Sequence, residues 1–348
     1  MKKYIALILT LTLLVSLSGC VGTTVVIGEC TCPAGSHTTP EPIVPAEGAL
    51  KTGLSVSVNI ADSTSATADA EGAAKYDVTL AAVTVDDNGV IVSCVIDSIP
   101  ATVNFDATGA ITSDVTANVL TKNELGENYG MVAWGGAIAE WDKQVAAVAK
   151  YAEGKTVEQL KNGDIDMKTG KAKDGTDLSS SATIYLAGYV YAIEAAVKNA
   201  KHLGAQAGDE LVLATLNSTK SSAAGNAQLD ADITVLTKKD GKITSCYIDS
   251  LQAKIAFDTT GTITTDLSAG VKTKNELGEA YGMVAWGGAI AEWKDQAASF
   301  ASYVTGKTAA EVAGIAVTET TKPADADLSA SVTIAIGGFQ ALIAKAMK

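Results

Sequence analysis

The segment TKNELGENYGMVAWGGAIAEW, Thr121 to Trp141, recurs as Thr273 to Trp293 with one change, Asn128 to Ala280. The offset is 152 residues. At the same offset NGVIVSCVIDSI (88–99) matches DGKITSCYIDSL (240–251), and NFDATGAIT (104–112) matches AFDTTGTIT (256–264). Further on, DLSSSATI (177–184) matches DLSASVTI (327–334) at an offset of 150. Solenoid repeats run about 20–50 residues, so a period this long points to two duplicated globular units. We place them at about 48–202 and 203–348. Most of the two copies has diverged while one stretch has not, so that stretch answers to a constraint the rest does not share.

The hydrophobic period gives the outline of each unit. YDVTLAAVTVDDNGVIVSCVI and DADITVLTKKDGKITSCYI each predict two strands joined at Asn88-Gly89 or Asp240-Gly241, pairs suited to a tight hairpin. A second hairpin is predicted at Thr108-Gly109 and Thr260-Gly261. A helix should follow with Ile138, Trp141, Val145 and Val148 on one face, repeated as Ile290, Trp293, Ala297 and Phe300, and stopped by Gly154 or Gly306. Each unit then closes with the DLSxSxTI block and another helix, running to about Lys198 or Lys348. The predicted class is α+β: two tandem copies of an antiparallel sheet with helices packed on it.

The N-terminus has a different character. Lys2 and Lys3 precede an apolar run from Ile5 to Val15, and small residues end at Leu17-Ser18-Gly19-Cys20, the pattern of a signal peptide. LSGC resembles the lipobox of bacterial lipoproteins. That resemblance implies cleavage before Cys20, acylation of it, and a lipid anchor on the extracytoplasmic face of the cell membrane. Residues 21–47 hold Pro33, Pro40, Pro42 and Pro45 among Gly, Thr and Glu, which reads as a tether.

Several chemistries are disfavoured by what the chain lacks. Formal charge is −13 and no arginine occurs, which argues against nucleic acid as a partner. The two histidines, His37 and His202, lie in the tether and between the repeats, so neither belongs to a repeated nucleophile–base system. Cys30 and Cys32 do not have zinc spacing. Cys94 and Cys246 are equivalent positions within apolar runs and read as buried thiols. The GKT at 154–156 and 306–308 lacks the earlier glycine of a nucleotide loop and marks a helix end.

One repeated motif remains. Asp177 to Thr183 (DLSSSAT) resembles the flavinylation motif of the FMN-binding domains in the C and G subunits of sodium-pumping and Rnf-type reductases. There a threonine closing [S/T]-G-A-T, six residues after an aspartate, carries FMN through a phosphoester. Asp177 with Thr183 and Asp327 with Thr333 keep that spacing, while Ser181 and Ser331 replace the usual glycine, and the second copy departs further at Ala330 and Val332. With the lipoprotein start and the paired NELGxxYGM blocks, the chain resembles the flavinylated extracellular electron-transfer lipoproteins of Gram-positive bacteria, the group of the Listeria pheromone-lipoprotein.

The resemblance implies up to two covalent FMN groups, a flavin transferase, a membrane electron donor and an external acceptor, in a carrier rather than a substrate-specific enzyme. On this reading Asp177 and Asp327 serve recognition by the attaching enzyme or its magnesium ion. The hydroxyls of Thr183 and Thr333, just ahead of a helix, would place a phosphate against the N–H groups of its first turn. Tyr129, Met131 and Trp134 with Gly130, Gly135 and Gly136, mirrored by Tyr281, Met283 and Trp286, offer a ring pocket. Trp134 and Trp286 suit pocket or core equally, whereas Trp141 and Trp293 fit the core. The competing reading is a surface lipoprotein that binds a ligand or partner protein without any flavin.

Overall fold

A computed structural model describes residues 48–348. The signal segment, Cys20, Cys30, Cys32, His37 and the tether lie outside the described residues.

The first repeat begins with β1 (Ala49–Asn59), β2 (Gly72–Val85) and β3 (Ile91–Phe105), and a helix, α1 (Trp141–Ala152), and a closing helix, α2 (Ala187–Asn199), follow. After β4 (Lys201–Gln206), the second repeat runs through β5 (Glu210–Ser218), β6 (Asn226–Lys239), β7 (Lys242–Ala256), α3 (Trp293–Val304) and α4 (Gly337–Ala346). All pairings are antiparallel, in the orders β3-β2-β1-β4 and β5-β6-β7. The fold is α+β, as the period implies. The boundary placed at 202/203 falls inside β4, which pairs with β1 through Lys51↔His202 and Ala49↔Gln206 and completes the first sheet.

Both hairpins form, but only Asp240-Gly241 makes the tight two-residue turn; the first is joined by the five residues 86–90, with Gly89 alone at positive φ (76°). Asp240 and Gly241 have φ of 50° and 73°, the positive pair that matches the twist of a two-residue turn. The second hairpin at Gly109 and Gly261 is reduced to a turn closed by one bridge, Phe105↔Ile111 and Phe257↔Ile263. The side chains of Asp106 and Asp258 accept the N–H groups that a returning strand would otherwise engage locally. The helix is shorter than expected: α1 and α3 begin at Trp141 and Trp293, so Ile138 and Ile290 stand exposed ahead of them. Trp141, Val145 and Val148 are buried on one face, as are Trp293, Ala297 and Phe300.

Each strand alternates between two cores. Tyr76, Val78, Leu80 and Ala82 of β2 and Ile99, Ala101, Val103 and Phe105 of β3 face Leu229, Ala231, Ile233 and Val235 of β6 and Leu251, Ala253 and Ile255 of β7. The intervening residues, Ala81, Val83, Ile96 and Cys94 among them, face α1 and α2, and their counterparts Leu236, Ile248 and Cys246 face α3 and α4. The layers therefore run helices, sheet, sheet, helices, and the two repeats form one compact unit. Phe105 and Phe257, equivalent residues, stack on each other with centroids 3.8 Å apart at 6°. The Gly109 carbonyl accepts from Gly225 N–H at 3.0 Å, and the Gly261 carbonyl accepts from Ala66 N–H at 2.8 Å, so the turns reach across reciprocally. Burial pushes the Cys94 and Cys246 thiols up to about 12, which keeps them protonated.

Candidate functional site

The near-invariant block is fastened to the sheet at its start. Thr121 and Thr273 cap short helices, Lys122–Leu125 and Lys274–Leu277, in reciprocal boxes with Glu124 and Glu276. Asn123 N–H donates to the Asp97 carboxylate at 3.1 Å and its side-chain amide to the Ile96 carbonyl at 2.9 Å. Asn275 makes the same two bonds, at 3.1 and 2.9 Å, to Asp249 and Ile248. The upstream IDS triplet (96–98 and 248–250) thus recurs with the block because it supplies the anchor.

The far end of the block is held by a carboxylate. Glu140 accepts Met131 N–H at 2.9 Å and Val132 N–H at 3.0 Å, and Glu292 accepts those of Met283 and Val284, both at 3.0 Å. Four residues on, Gln144 is fully buried. Its amide donates to the Ala139 carbonyl at 2.7 Å, and its oxygen accepts Thr183 N–H at 2.8 Å and the Thr183 hydroxyl at 3.3 Å. Gln296 does the same with Ala291 at 2.8 Å, Thr333 N–H at 2.8 Å and the Thr333 hydroxyl at 3.2 Å. One buried side chain in each repeat therefore ties the conserved loop to the threonine of the DLSxSxT motif. Sequence reasoning missed both glutamines. The signal was there: Gln144 and Gln296 keep the 152-residue offset while WDKQVA becomes WKDQAA around them.

The threonines do not stand at the start of a long helix, which corrects the expected phosphate cradle. Asp177–Ser181 is a single helical turn capped by Thr176, and Ala326–Ser329 is capped by Asp325. Helices α2 and α4 begin only at Ala187 and Gly337. Thr183 lies in the link between, and its own N–H is already taken by Gln144. Thr183, Ser181 and Asp177 are exposed, as are Ser331 and Asp327, and Thr333 is half-buried. Ser181 donates to the Asp177 carbonyl at 3.1 Å.

Beside Thr183, starting at Ile184 and Tyr185, lies a groove of about 570 Å³ walled by Tyr129, Met131, Trp141, Tyr189 and Tyr191, with Ser55, Asp77 and Thr79 on its floor. Trp141 donates its indole N–H to the Tyr189 hydroxyl at 2.9 Å, with the rings edge to face at 6.0 Å. The Lys122 ammonium lies 5.2 Å from the centres of both the Tyr129 and Trp141 rings, a cation–π arrangement that Lys274 repeats over Tyr281 and Trp293. Tyr129 and Met131, like Tyr281 and Met283, are half-buried and pack on the helix-side cores. Trp141 and Trp293 are buried as expected.

Trp134 and Trp286 are neither core nor groove wall. They are 85% and 86% exposed. Each lies on the glycine four residues earlier: Gly130 has φ of 78°, and a Cβ there would stand 2.6 Å from the Trp134 ring, with 2.8 Å at Gly282 and Trp286. Only glycine serves at these two positions.

No family model, curated protein or solved structure matches this chain.

The residues of the first site fit a flavin. The groove lies within the roughly 300–1,000 Å³ of small-molecule sites, and its aromatic walls suit a flat ring. Thr183, next in sequence to Ile184 of the groove wall, is an exposed residue. Attachment there would sacrifice only the long 3.3 Å hydroxyl bond, because the backbone bond to Gln144 is independent of it. Among the described residues no cluster of His, Cys, Asp and Glu could hold a metal ion.

The anchor carboxylates carry a pH dependence. Burial pushes Asp249 up to about 6, against the lowering effect of the Thr273 hydroxyl and the Asn275 and Ser250 N–H groups, and it raises Asp97 in the same way. A carboxyl raised on folding stabilises the fold fully below its ordinary 3.8, and that contribution is lost as pH rises through about 6. The expected loss for Asp249 is at most about 3 kcal/mol between pH 4 and 7. Asp249→Asn keeps the acceptor oxygen, so chemical denaturation at both pH values should show a smaller difference than in the parent; an unchanged difference would mean that Asp249 ionises normally.

Proposed function

We propose that the chain is a lipid-anchored, extracytoplasmic electron carrier with FMN joined through its phosphate to Thr183 and Thr333. The observation that carries this reading is the repeated pairing of each motif threonine with a buried glutamine, at 2.8 Å in both copies, from the helix that follows the near-invariant loop. The tie is kept in both copies although the helix residues around each glutamine have diverged. When bound, the flavin would supply reversible one- and two-electron chemistry. Gln144 and Gln296 hold the attachment backbone, Glu140 and Glu292 hold the loop, and the aromatic residues of the first groove exclude water from a ring placed there.

Asp177 and Asp327, exposed at the start of their helical turns, are available to the flavin transferase or its magnesium ion. Electrons would enter from a membrane donor and leave to an external acceptor. Anchoring rests on acylated Cys20; among the described residues no helix is long and apolar enough to cross a membrane. The competing reading, a partner-binding lipoprotein without flavin, draws on exposed Val132, Trp134 and Ile138 and their counterparts.

The test is the intact mass and in-gel fluorescence of the chain exported with an active flavin transferase, beside Thr183→Ala, Thr333→Ala and the double variant. Two FMN-sized increments are expected, one lost with each threonine. An unmodified, dark parent chain would leave the partner-binding reading in its place.

A further inference from the structure

The two repeats place equivalent residues around equivalent spaces, yet they fill them differently. Strand register aligns β1 with β5, so that Ser55, Val56 and Ser57 correspond to Ala214, Thr215 and Leu216. The DLSxSxTI offset aligns Ala192 and Ala195 of α2 with Leu342 and Lys345 of α4, and Tyr185 and Tyr191 with Ala335 and Ala341.

In the first repeat the small residues leave the groove open, and Glu276 from the second repeat closes its far end. Glu276 engages Thr273 N–H through one oxygen at 2.9 Å and has no ion pair among the described residues. In the second repeat the counterpart of Glu276 is Glu124, and it is paired with Lys345. The same ammonium donates to the Thr215 carbonyl at 2.6 Å, on the strand that corresponds to the floor of the first groove. Leu342 is fully buried there and Leu216 packs beside it. Three positions are thus small in one copy and large in the other, and two tyrosines of the open wall are alanines in the filled copy.

We propose that the first repeat alone has a seat for a flat, uncharged heteroaromatic ring of isoalloxazine size, and that Lys345 with Leu216 and Leu342 fills the corresponding space in the second. The inference rests on the proposed function only for the identity of the ring. Aromatic walls supply the stacking surface, and Ser55, Ser57, Thr79 and the two acids supply polar partners at the ring edge. Asp77 is paired with Lys122 at 3.7 Å, but Glu276 has no such partner among the described residues, and its charge disfavours an anion in the seat, so a phosphate is placed outside it, on the side of Thr183. A flavin carried on Thr333 would have no such seat and would remain open to solvent.

The seat can be tested without any attached flavin. The full exported chain is made in a host lacking flavin transferase and titrated with riboflavin, which has the ring and no phosphate, by equilibrium dialysis and fluorescence quenching up to about 0.1 mM, within riboflavin's solubility and enough to detect an affinity of roughly micromolar to tens of micromolar. One riboflavin per chain is expected. Ala195→Lys, which gives the first groove the second repeat's plug beside the unpaired Glu276, should weaken binding at least about tenfold, equivalent to about 1.4 kcal/mol. Tyr185→Ala, at an exposed position that the core does not need, should weaken it severalfold, and Lys345→Ala should leave the first seat unchanged. No binding over the range, two equivalents per chain, or binding indifferent to both Ala195→Lys and Tyr185→Ala would each overturn the proposal. Attachment at Thr183 and Thr333 is read separately by mass, so loss of the seat and loss of the carrier reading are distinguishable.

Discussion

Replacing Phe105 with alanine is expected to lower the unfolding free energy of the whole chain by about 3–5 kcal/mol, the usual cost of emptying a buried phenylalanine site. Phe105 is fully buried and faces its own counterpart Phe257 across the sheet interface. Because that interface is one core shared by both repeats, urea unfolding followed by tryptophan fluorescence and by circular dichroism should show a single transition displaced as a unit. Two separable domains would instead give two transitions, with only one of them moving. The rings stack nearly parallel, with centroids 3.8 Å apart at 6°. A double-mutant cycle with Phe257→Ala should return a coupling of about 0.5–1.5 kcal/mol, with cavity terms dominating the single substitutions.

Gln144→Leu is expected to remove flavin from Thr183 and leave Thr333 loaded, and Gln296→Leu should do the reverse. Gln144→Leu removes the partners of the Thr183 N–H and the Ala139 carbonyl, and Gln296→Leu those of the Thr333 and Ile334 N–H groups and the Ala291 carbonyl; these are part-buried bonds worth about 1 kcal/mol each, so stability should also fall. Falling stability alone would depress loading at both threonines. Site-resolved peptide mass after export with the transferase separates the two effects, and amide exchange at Thr183 should accelerate in the Gln144 variant while Thr333 stays protected. Equal loading at both sites in both variants would show that the glutamines do not position the attachment threonines.

How much of this was readable beforehand divides along physical lines. The duplication, the Asn-Gly and Asp-Gly turns, the buried thiols and the α+β class follow from local rules, because turn chemistry and alternation are written into adjacent residues. The opening strands Ala49–Asn59 and Glu210–Ser218 were not foreseen: LKTGLSVSVN and LVLATLNS are short alternating runs without a turn pair to mark them. Face-to-face packing of the two sheets was also hidden, since alternation shows that both faces of a strand are apolar but not what covers each.

At the site, Thr183 and Thr333 were found by motif spacing, whereas Gln144 and Gln296 act through side chains 39 and 37 residues away in sequence. Ile138 and Ile290 have the spacing of the helix face, yet they precede the helix. The Glu140 and Glu292 carboxylates instead bond back to the loop at the point where that helix would have begun.

The reciprocal reach of Gly109 and Gly261, with Phe105 meeting Phe257 on the local axis, is the geometry of an isologous dimer whose subunits have been joined end to end. In a true homodimer every residue appears on both sides of the axis, so neither groove could be closed without closing the other. Fusion into one chain lifts that restriction. The paired core and the fastened loops could be retained on both sides while Ala195 and Lys345, at one equivalent position, took opposite characters. Covalent linkage of the halves thus permits a division of labour that symmetric self-assembly forbids.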